Sequence, residues 1–265
     1  QPKLRGWVAK RTWPIMHIGY RESSNYNRYS PGPATRPHNH LLATPLLEVS
    51  MSRHDNLSRV LEGGIVAVIR APSGDRLADV AEALLSGGID CMEITFTVPD
   101  PLQVLKEVHA RLAGRALLGA GTVLDPETAR AAILAGAEFI VSPSTDLSVI
   151  ELCNRYDTII MPGALTPSEV ITAWQAGADV VKIFPSDVGG PTYLKALCGP
   201  LPQVRMMPTG GVNLETATSF LDAGACALGI GGSLVEKEAV EEGDMDRIES
   251  LARQYVELVR QHRAG

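Results

Sequence analysis

The segment Ala116-Leu-Leu-Gly-Ala-Gly-Thr-Val-Leu-Asp-Pro-Glu-Thr-Ala-Arg-Ala-Ala-Ile-Leu-Ala-Gly-Ala-Glu-Phe-Ile-Val-Ser142 holds one complete strand–helix–strand unit. Ala116 to Val123 is an apolar run of strand length. Asp125 stands where a helix N-cap is needed, and Pro126 occupies the first helical position, where its missing N–H costs nothing. The helix runs from Pro126 to Leu134 and ends at Ala135-Gly-Ala137, because Gly136 can take the left-handed conformation without steric penalty. Phe139 to Ser142 begins the next strand. The same ending recurs at Leu85-Ser-Gly-Gly-Ile89, Gln175-Ala-Gly-Ala178 and Asp222-Ala-Gly-Ala225. Successive marker glycines, Gly88, Gly136, Gly177 and Gly224, are 48, 41 and 47 residues apart, which is about two strand–helix units per interval.

Reading strands between these marks gives eight: Ile65 to Arg70, Cys91 to Thr97, Ala116 to Val123, Phe139 to Ser142, Thr158 to Met161, Val180 to Phe184, Arg205 to Met207 and Ala227 to Ile230. Helices are expected between them, among others over Pro101 to Arg111, Pro126 to Leu134, Pro167 to Gln175 and Leu214 to Leu221. Eight such units in series close as a single-domain (β/α)8 TIM barrel. An open doubly wound sheet would call for a G-x-G-x-x-G loop after its first strand, and Ile65-Val-Ala-Val-Ile-Arg-Ala-Pro72 has none.

The barrel is expected to occupy residues 53–265, preceded by an irregular or disordered N-terminal extension, 1–52. Residues 1–50 carry 7 Lys and Arg against 2 Asp and Glu, and the remainder 17 against 28. A basic, acid-poor start is compatible with a transit segment or a polyanion-binding arm. The absence of an amphipathic period favours an appended or upstream-translated segment, with the working chain beginning near Met51. The acidic body argues against a nucleic-acid surface. No run of 18 uncharged apolar residues suggests a membrane span. Four scattered cysteines without a C-x-x-C pair suggest neither zinc nor disulfides and fit a reducing, cytoplasmic setting.

Polar residues late in barrel strands mark candidate site positions. Alternation along the second strand places Glu93, Thr95 and Thr97 on one face and Ile94 and Phe96 on the other, which turns Glu93 inward. The same parity groups Val180, Lys182 and Phe184. Lys182 is the one lysine of six embedded in an apolar strand. Desolvation disfavours a charged amine, so a lysine there is available as a neutral nucleophile toward a carbonyl. A purely structural Lys182–Glu93 ion pair is the competing interpretation. The glycine pairs of Met207-Pro-Thr-Gly-Gly-Val212 and Leu228-Gly-Ile-Gly-Gly-Ser-Leu234 follow the last two strands, where barrels commonly bind phosphate, and Ser233 adds a hydroxyl. Lysine, carboxylate and phosphate cradle together describe a class I aldolase acting on a phosphorylated keto compound. His54 and His109 lie outside the strands, which disfavours a zinc-dependent aldolase and any metal site.

The segments Glu93-Ile-Thr-Phe-Thr-Val-Pro-Asp100, Gly119-Ala-Gly-Thr-Val123, Val141-Ser-Pro143, Met161-Pro-Gly163, Lys182-Ile-Phe-Pro185, Pro208-Thr-Gly-Gly-Val212 and Gly231-Gly-Ser233 occur in an order that resembles the 2-dehydro-3-deoxy-6-phosphogluconate (KDPG) and 4-hydroxy-2-oxoglutarate (KHG) aldolase family, over about residues 57 to 262. The resemblance implies a homotrimeric, metal-free enzyme that cleaves a phosphorylated six-carbon keto acid into pyruvate and glyceraldehyde 3-phosphate. It implies Lys182 as the Schiff-base residue, Glu93 as general acid/base and Thr122 in the pyruvate site, with Gly210, Gly211, Gly232 and Ser233 as the phosphate loop. Arg70, Pro143, Phe184 and Thr209 complete the expected substrate contacts. Many members carry Arg where this chain has Thr97, although a subset reads as this chain does; Arg70, or backbone near Thr122 and Pro143, is expected to hold the pyruvate carboxylate instead. The alternatives are the same chemistry on 4-hydroxy-2-oxoglutarate or on the galactonate epimer, a sugar-phosphate epimerase, and a non-catalytic sugar-phosphate binder.

Overall fold

The computed structural model describes residues 52–265. The expectation for residues 1–52 therefore lies outside the described residues, apart from Ser52. That residue caps helix α1 (Arg53–Gly63) by accepting from Asp55 N, and Asp55 returns the contact in a capping box.

Nine strand segments follow: β1 (Ile65–Ile69), β2 (Cys91–Thr95), β3 (Leu117–Gly121), β4 (Phe139–Val141), β5 (Ile159–Met161), β6 (Gly163–Ala164), β7 (Val181–Ile183), β8 (Met206–Pro208) and β9 (Leu228–Ile230). Between and after them lie α2 (Leu77–Ser86), α3 (Pro101–Leu112), α4 (Pro126–Leu134), α5 (Leu147–Arg155), α6 (Pro167–Gln175), α7 (Gly190–Cys198), α8 (Ala217–Asp222), α9 (Lys237–Glu242) and α10 (Met245–Ala264). One parallel sheet runs β5-β4-β3-β2-β1-β9 and another β6-β7-β8. Pro162 alone separates β5 from β6, so the expected fifth strand is one strand interrupted by a residue with no N–H to give. A parallel bridge between Thr209 and Gly229 joins β8 to β9 and closes the ring.

All four marker glycines have positive φ, from 94° at Gly88 to 105° at Gly136 and Gly224. The caps form as expected at α4, where Asp125 accepts from Thr128 N at 2.6 Å, and at α6, where Thr166 and Glu169 make a capping box. Every expected strand shifts by one or two residues at one end or both, and three of the expected boundaries bear on the site. Strand β1 stops at Ile69 and β2 at Thr95, leaving Arg70 and Thr97 in the loops beyond them, and the helix expected from Leu214 begins at Ala217. Asn213 causes the last shift: its side chain accepts from Glu215 N and Thr216 N and holds the preceding turn.

Strand residues are buried on both faces. Ile65, Ala67, Ile69, Met92, Ile94, Leu118, Ala120 and Ile140 meet the helices. Val66, Cys91, Leu117, Phe139, Val141, Ile159, Met161, Val180, Met207 and Ala227 fill the interior, with Val60 and Leu57 of α1 packed beneath them. Each fully buried Ile or Phe contributes about 1.5–3 kcal/mol. Arg53 anchors α1 through Asp179 and Asn154. No helix among the described residues is long and apolar enough to cross a membrane.

Candidate active site

Period-two alternation sends Glu93 and Thr95 of β2 and Lys182 of β7 into the barrel. All three are buried, with Lys182 retaining 5% exposure and Glu93 1%. Neither oxygen of Glu93 has a hydrogen-bond partner, so the Lys182 charge acts on the carboxyl through space and not through a hydrogen bond. Burial pushes the Glu93 carboxyl above its ordinary range, opposed by the positive charge of Lys182 and, less strongly, of Arg70. The carboxylate lies against the backbone of Gly121, where an added Cβ would be 2.5 Å from Oε1. Gly119, one inward position earlier, leaves the space that the Phe139 ring occupies. The two glycines of the Gly119-Ala-Gly121 segment thus serve as clearances, one for the acid and one for the core.

Above this layer, at the C-terminal rim, is a cavity of about 850 Å³ lined by Arg70, Thr97, Phe184, Thr209, Gly210, Gly211, Gly232 and Ser233 among the expected residues. Phe184 connects the two levels: it lines the cavity, and its ring centroid is 5.0 Å from Lys182 Nζ. Thr95 Oγ1 donates to Ile69 O at 3.1 Å and is 3.0 Å from Thr97 Oγ1, tying the ends of β1 and β2 together beside Arg70. Ser233 Oγ donates to Val212 O at 2.6 Å, linking the two glycine loops. Lys182, Glu93, Thr122 and Pro143 are not among the cavity-lining residues. Thr122 has φ 59°, a strained conformation for a β-branched residue.

Sequence reasoning missed Ser186, Asn213 and Lys237. Ser186 Oγ donates to Ile183 O at 2.6 Å and accepts from Thr209 N at 3.0 Å, holding the end of β7 to the first glycine loop. An inward serine just past a strand end was the available signal. Asn213 and Lys237 line the cavity, but they stand in polar stretches that read as solvated surface. Among the described residues no group of three or more His, Cys, Asp or Glu side chains is gathered as a metal site needs.

An interior amine with a buried carboxyl, set under a rim of glycine loops and cations, suits the cleavage of carbon–carbon bonds next to a carbonyl. The class defined by this fold and site is the barrel aldolase. The family model described as KDPG and KHG aldolase matches residues 57–251. The 2-dehydro-3-deoxy-phosphogluconate aldolase of Pseudomonas aeruginosa is 36% identical over 227 residues, 82% of this chain and 98% of that one. A solved structure described as native KDPGal superposes with a TM-score of 0.70 at 31% identity, covering 76% of this chain and 96% of the other. The KDPG aldolase of Legionella pneumophila, with pyruvate captured at low pH as a covalent carbinolamine intermediate, gives a TM-score of 0.68 at 27% identity, over 75% and 96%. The chain belongs to the KDPG and KHG aldolase family and is a carbon–carbon lyase.

Proposed function

We propose that the protein cleaves 2-dehydro-3-deoxy-6-phosphogluconate to pyruvate and glyceraldehyde 3-phosphate through an imine on Lys182, without a metal. The observation that carries this reading is the burial of Lys182 and Glu93 in one barrel interior, not hydrogen-bonded to each other, beneath a cavity bearing cations and glycine loops. The Lys182 amine attacks the C2 ketone, and loss of water leaves an iminium. Glu93 takes the proton of the C4 hydroxyl, directly or through water. The C3–C4 bonding pair moves toward the iminium nitrogen, which releases the aldehyde and leaves an enamine. Protonated Glu93 returns its proton to C3, and water hydrolyses the new imine to pyruvate and free Lys182. A carboxyl raised by burial is suited to both halves of this shuttle, because its affinity for protons lies closer to working pH.

Arg70 is assigned to the carboxylate end of the substrate, with Thr97, Thr122 and Pro143 beside it. Phe184 packs along the chain, and Thr209, Gly210, Gly211, Gly232 and Ser233 take the phosphate. Holding the distant phosphate keeps the breaking bond in register. The protein is further proposed to act as a homotrimer in the cytoplasm. Exposed Leu124, Leu147 and Trp174 offer apolar area for subunit contact, and its four cysteines are free.

Incubation with pyruvate and cyanoborohydride, followed by peptide mass spectrometry, tests the reading. A stable adduct on the peptide containing Lys182, lost in Lys182→Ala, is expected. Turnover with both the gluconate and galactonate epimers then fixes the substrate. Labelling at another lysine, or turnover surviving in Lys182→Ala, refutes the assignment.

A further inference from the structure

The rim cavity carries a charge pattern that the glycine loops do not explain. Residues 51–265 hold 17 Lys and Arg against 28 Asp and Glu, yet the cavity wall includes Arg70 and Lys237 and no aspartate or glutamate. The two cations stand on different elements of the rim. Arg70 stands two residues beyond Val68, the register partner of Glu93, and its charge opposes the rise of that carboxyl, which places it at the reacting end. Lys237, the first residue of α9, stands four residues after Ser233 and lines the same cavity as Gly231, Gly232 and Ser233.

The glycine loops supply N–H donors but no net charge, and the Ser233 hydroxyl already donates to Val212 O. A carboxylate stands beside the first of them: a Cβ on Gly210 would lie 3.5 Å from Asp187 Oδ1. A phosphate monoester carries about 1.5 to 2 negative charges at neutral pH, so a neutral cradle beside an acid leaves that charge uncompensated. Lys237 can supply the compensation. Its side chain is 73% exposed, and its ionic contact is Glu241 at 3.6 Å, one turn along the same helix, a solvent-screened pair that opens readily.

We propose that Lys237 binds the phosphate end of the substrate and thereby selects phosphorylated over unphosphorylated keto acids. The proposal rests on the aldolase reading above and adds a specificity residue to it. Opposite cations for opposite anionic ends give the substrate one favoured orientation, with the carboxylate toward Arg70 and the phosphate toward Lys237.

The test compares the parent with Lys237→Ala, Lys237→Glu and Lys237→Arg on 2-dehydro-3-deoxy-6-phosphogluconate and on 4-hydroxy-2-oxoglutarate, with inorganic phosphate as competitive inhibitor. For Lys237→Ala the expected result is a KM about three- to tenfold higher on the phosphorylated substrate, kcat within about twofold, and unchanged KM on the unphosphorylated one. Lys237→Glu exceeds this loss and Lys237→Arg restores most of it. Inhibition by phosphate weakens in step, and added salt weakens the parent more than Lys237→Ala. A parent that prefers the phosphorylated substrate while the variants match it overturns the Lys237 role alone, as does an equal KM rise on both substrates. A parent that forms the Lys182 adduct with pyruvate yet gains nothing from the phosphate group overturns the substrate assignment and the Lys237 role together.

Discussion

Gly121→Ala separates positioning of the acid from stability of the barrel. The added Cβ would sit 2.5 Å from Glu93 Oε1 and 2.6 Å from Cδ, against about 3.5 Å for an unstrained contact. The carboxyl must therefore retreat by about 1 Å. Because the obstacle is the end of a flexible side chain and the backbone at 121 is an ordinary strand, the fold survives. Overpacking costs about 1–3 kcal/mol, while replacing glycine by alanine in a strand returns about 0.5–1 kcal/mol, so the expected net loss is about 1 kcal/mol. Catalysis loses more, since a misplacement of about 1 Å at a reacting group costs about 10²-fold in rate. Steady-state release of pyruvate gives kcat, cyanoborohydride trapping with pyruvate reports imine formation, and urea unfolding gives stability. A fall of about 100-fold in kcat is expected, with the Lys182 adduct retained. Gly119→Ala is the contrast: its Cβ would meet the buried Phe139 ring at 2.3–2.5 Å, so stability falls by about 1–3 kcal/mol and kcat falls less than in Gly121→Ala. Parental kcat in Gly121→Ala, or loss of the adduct in parallel with turnover, would refute the clearance argument.

Glu93→Gln probes the energetics of the same buried group. A carboxyl raised in the folded state favours folding below its ordinary value of 4.5 and loses that contribution as pH rises through the folded value. Glu93→Gln should therefore melt above the parent at neutral pH, with the gap closing as pH falls toward 4.5, and lose turnover throughout; a gap that widens in acid contradicts the cause assigned. At the other end of the barrel, Arg53 makes two contacts to Asp179, Nε to Oδ1 at 3.0 Å and Nη2 to Oδ2 at 2.7 Å, and Asp179 also accepts from Ile160 N. Arg53→Ala should lower unfolding free energy by about 1–3 kcal/mol in urea titration while leaving KM unchanged, and a changed KM would count against the separation of anchor and site.

Alternation and helix endings made the strands, the four left-handed glycines and the inward direction of Glu93 and Lys182 legible, because each depends on neighbours along the chain. What stayed illegible depends on neighbours across it. Glu93 pairs in register with Gly119, whereas Thr95 pairs with Gly121. The carboxylate nevertheless rests on Gly121, two residues diagonally onward, a reach that register and side-chain length permit but no spacing announces. Lys237 is a sharper case. Glu236-Lys-Glu238 reads as a solvated helix start, and only the closure of β9 against β1, Ile65 to Leu228, brings that segment to the rim beside Arg70. The interior pair is thus written in local parity, while the clearance that seats the acid and the cation assigned to the phosphate are products of ring closure. A change that preserves every local pattern but alters closure, such as one at the Thr209–Gly229 bridge, would act on substrate selection before it acts on imine chemistry.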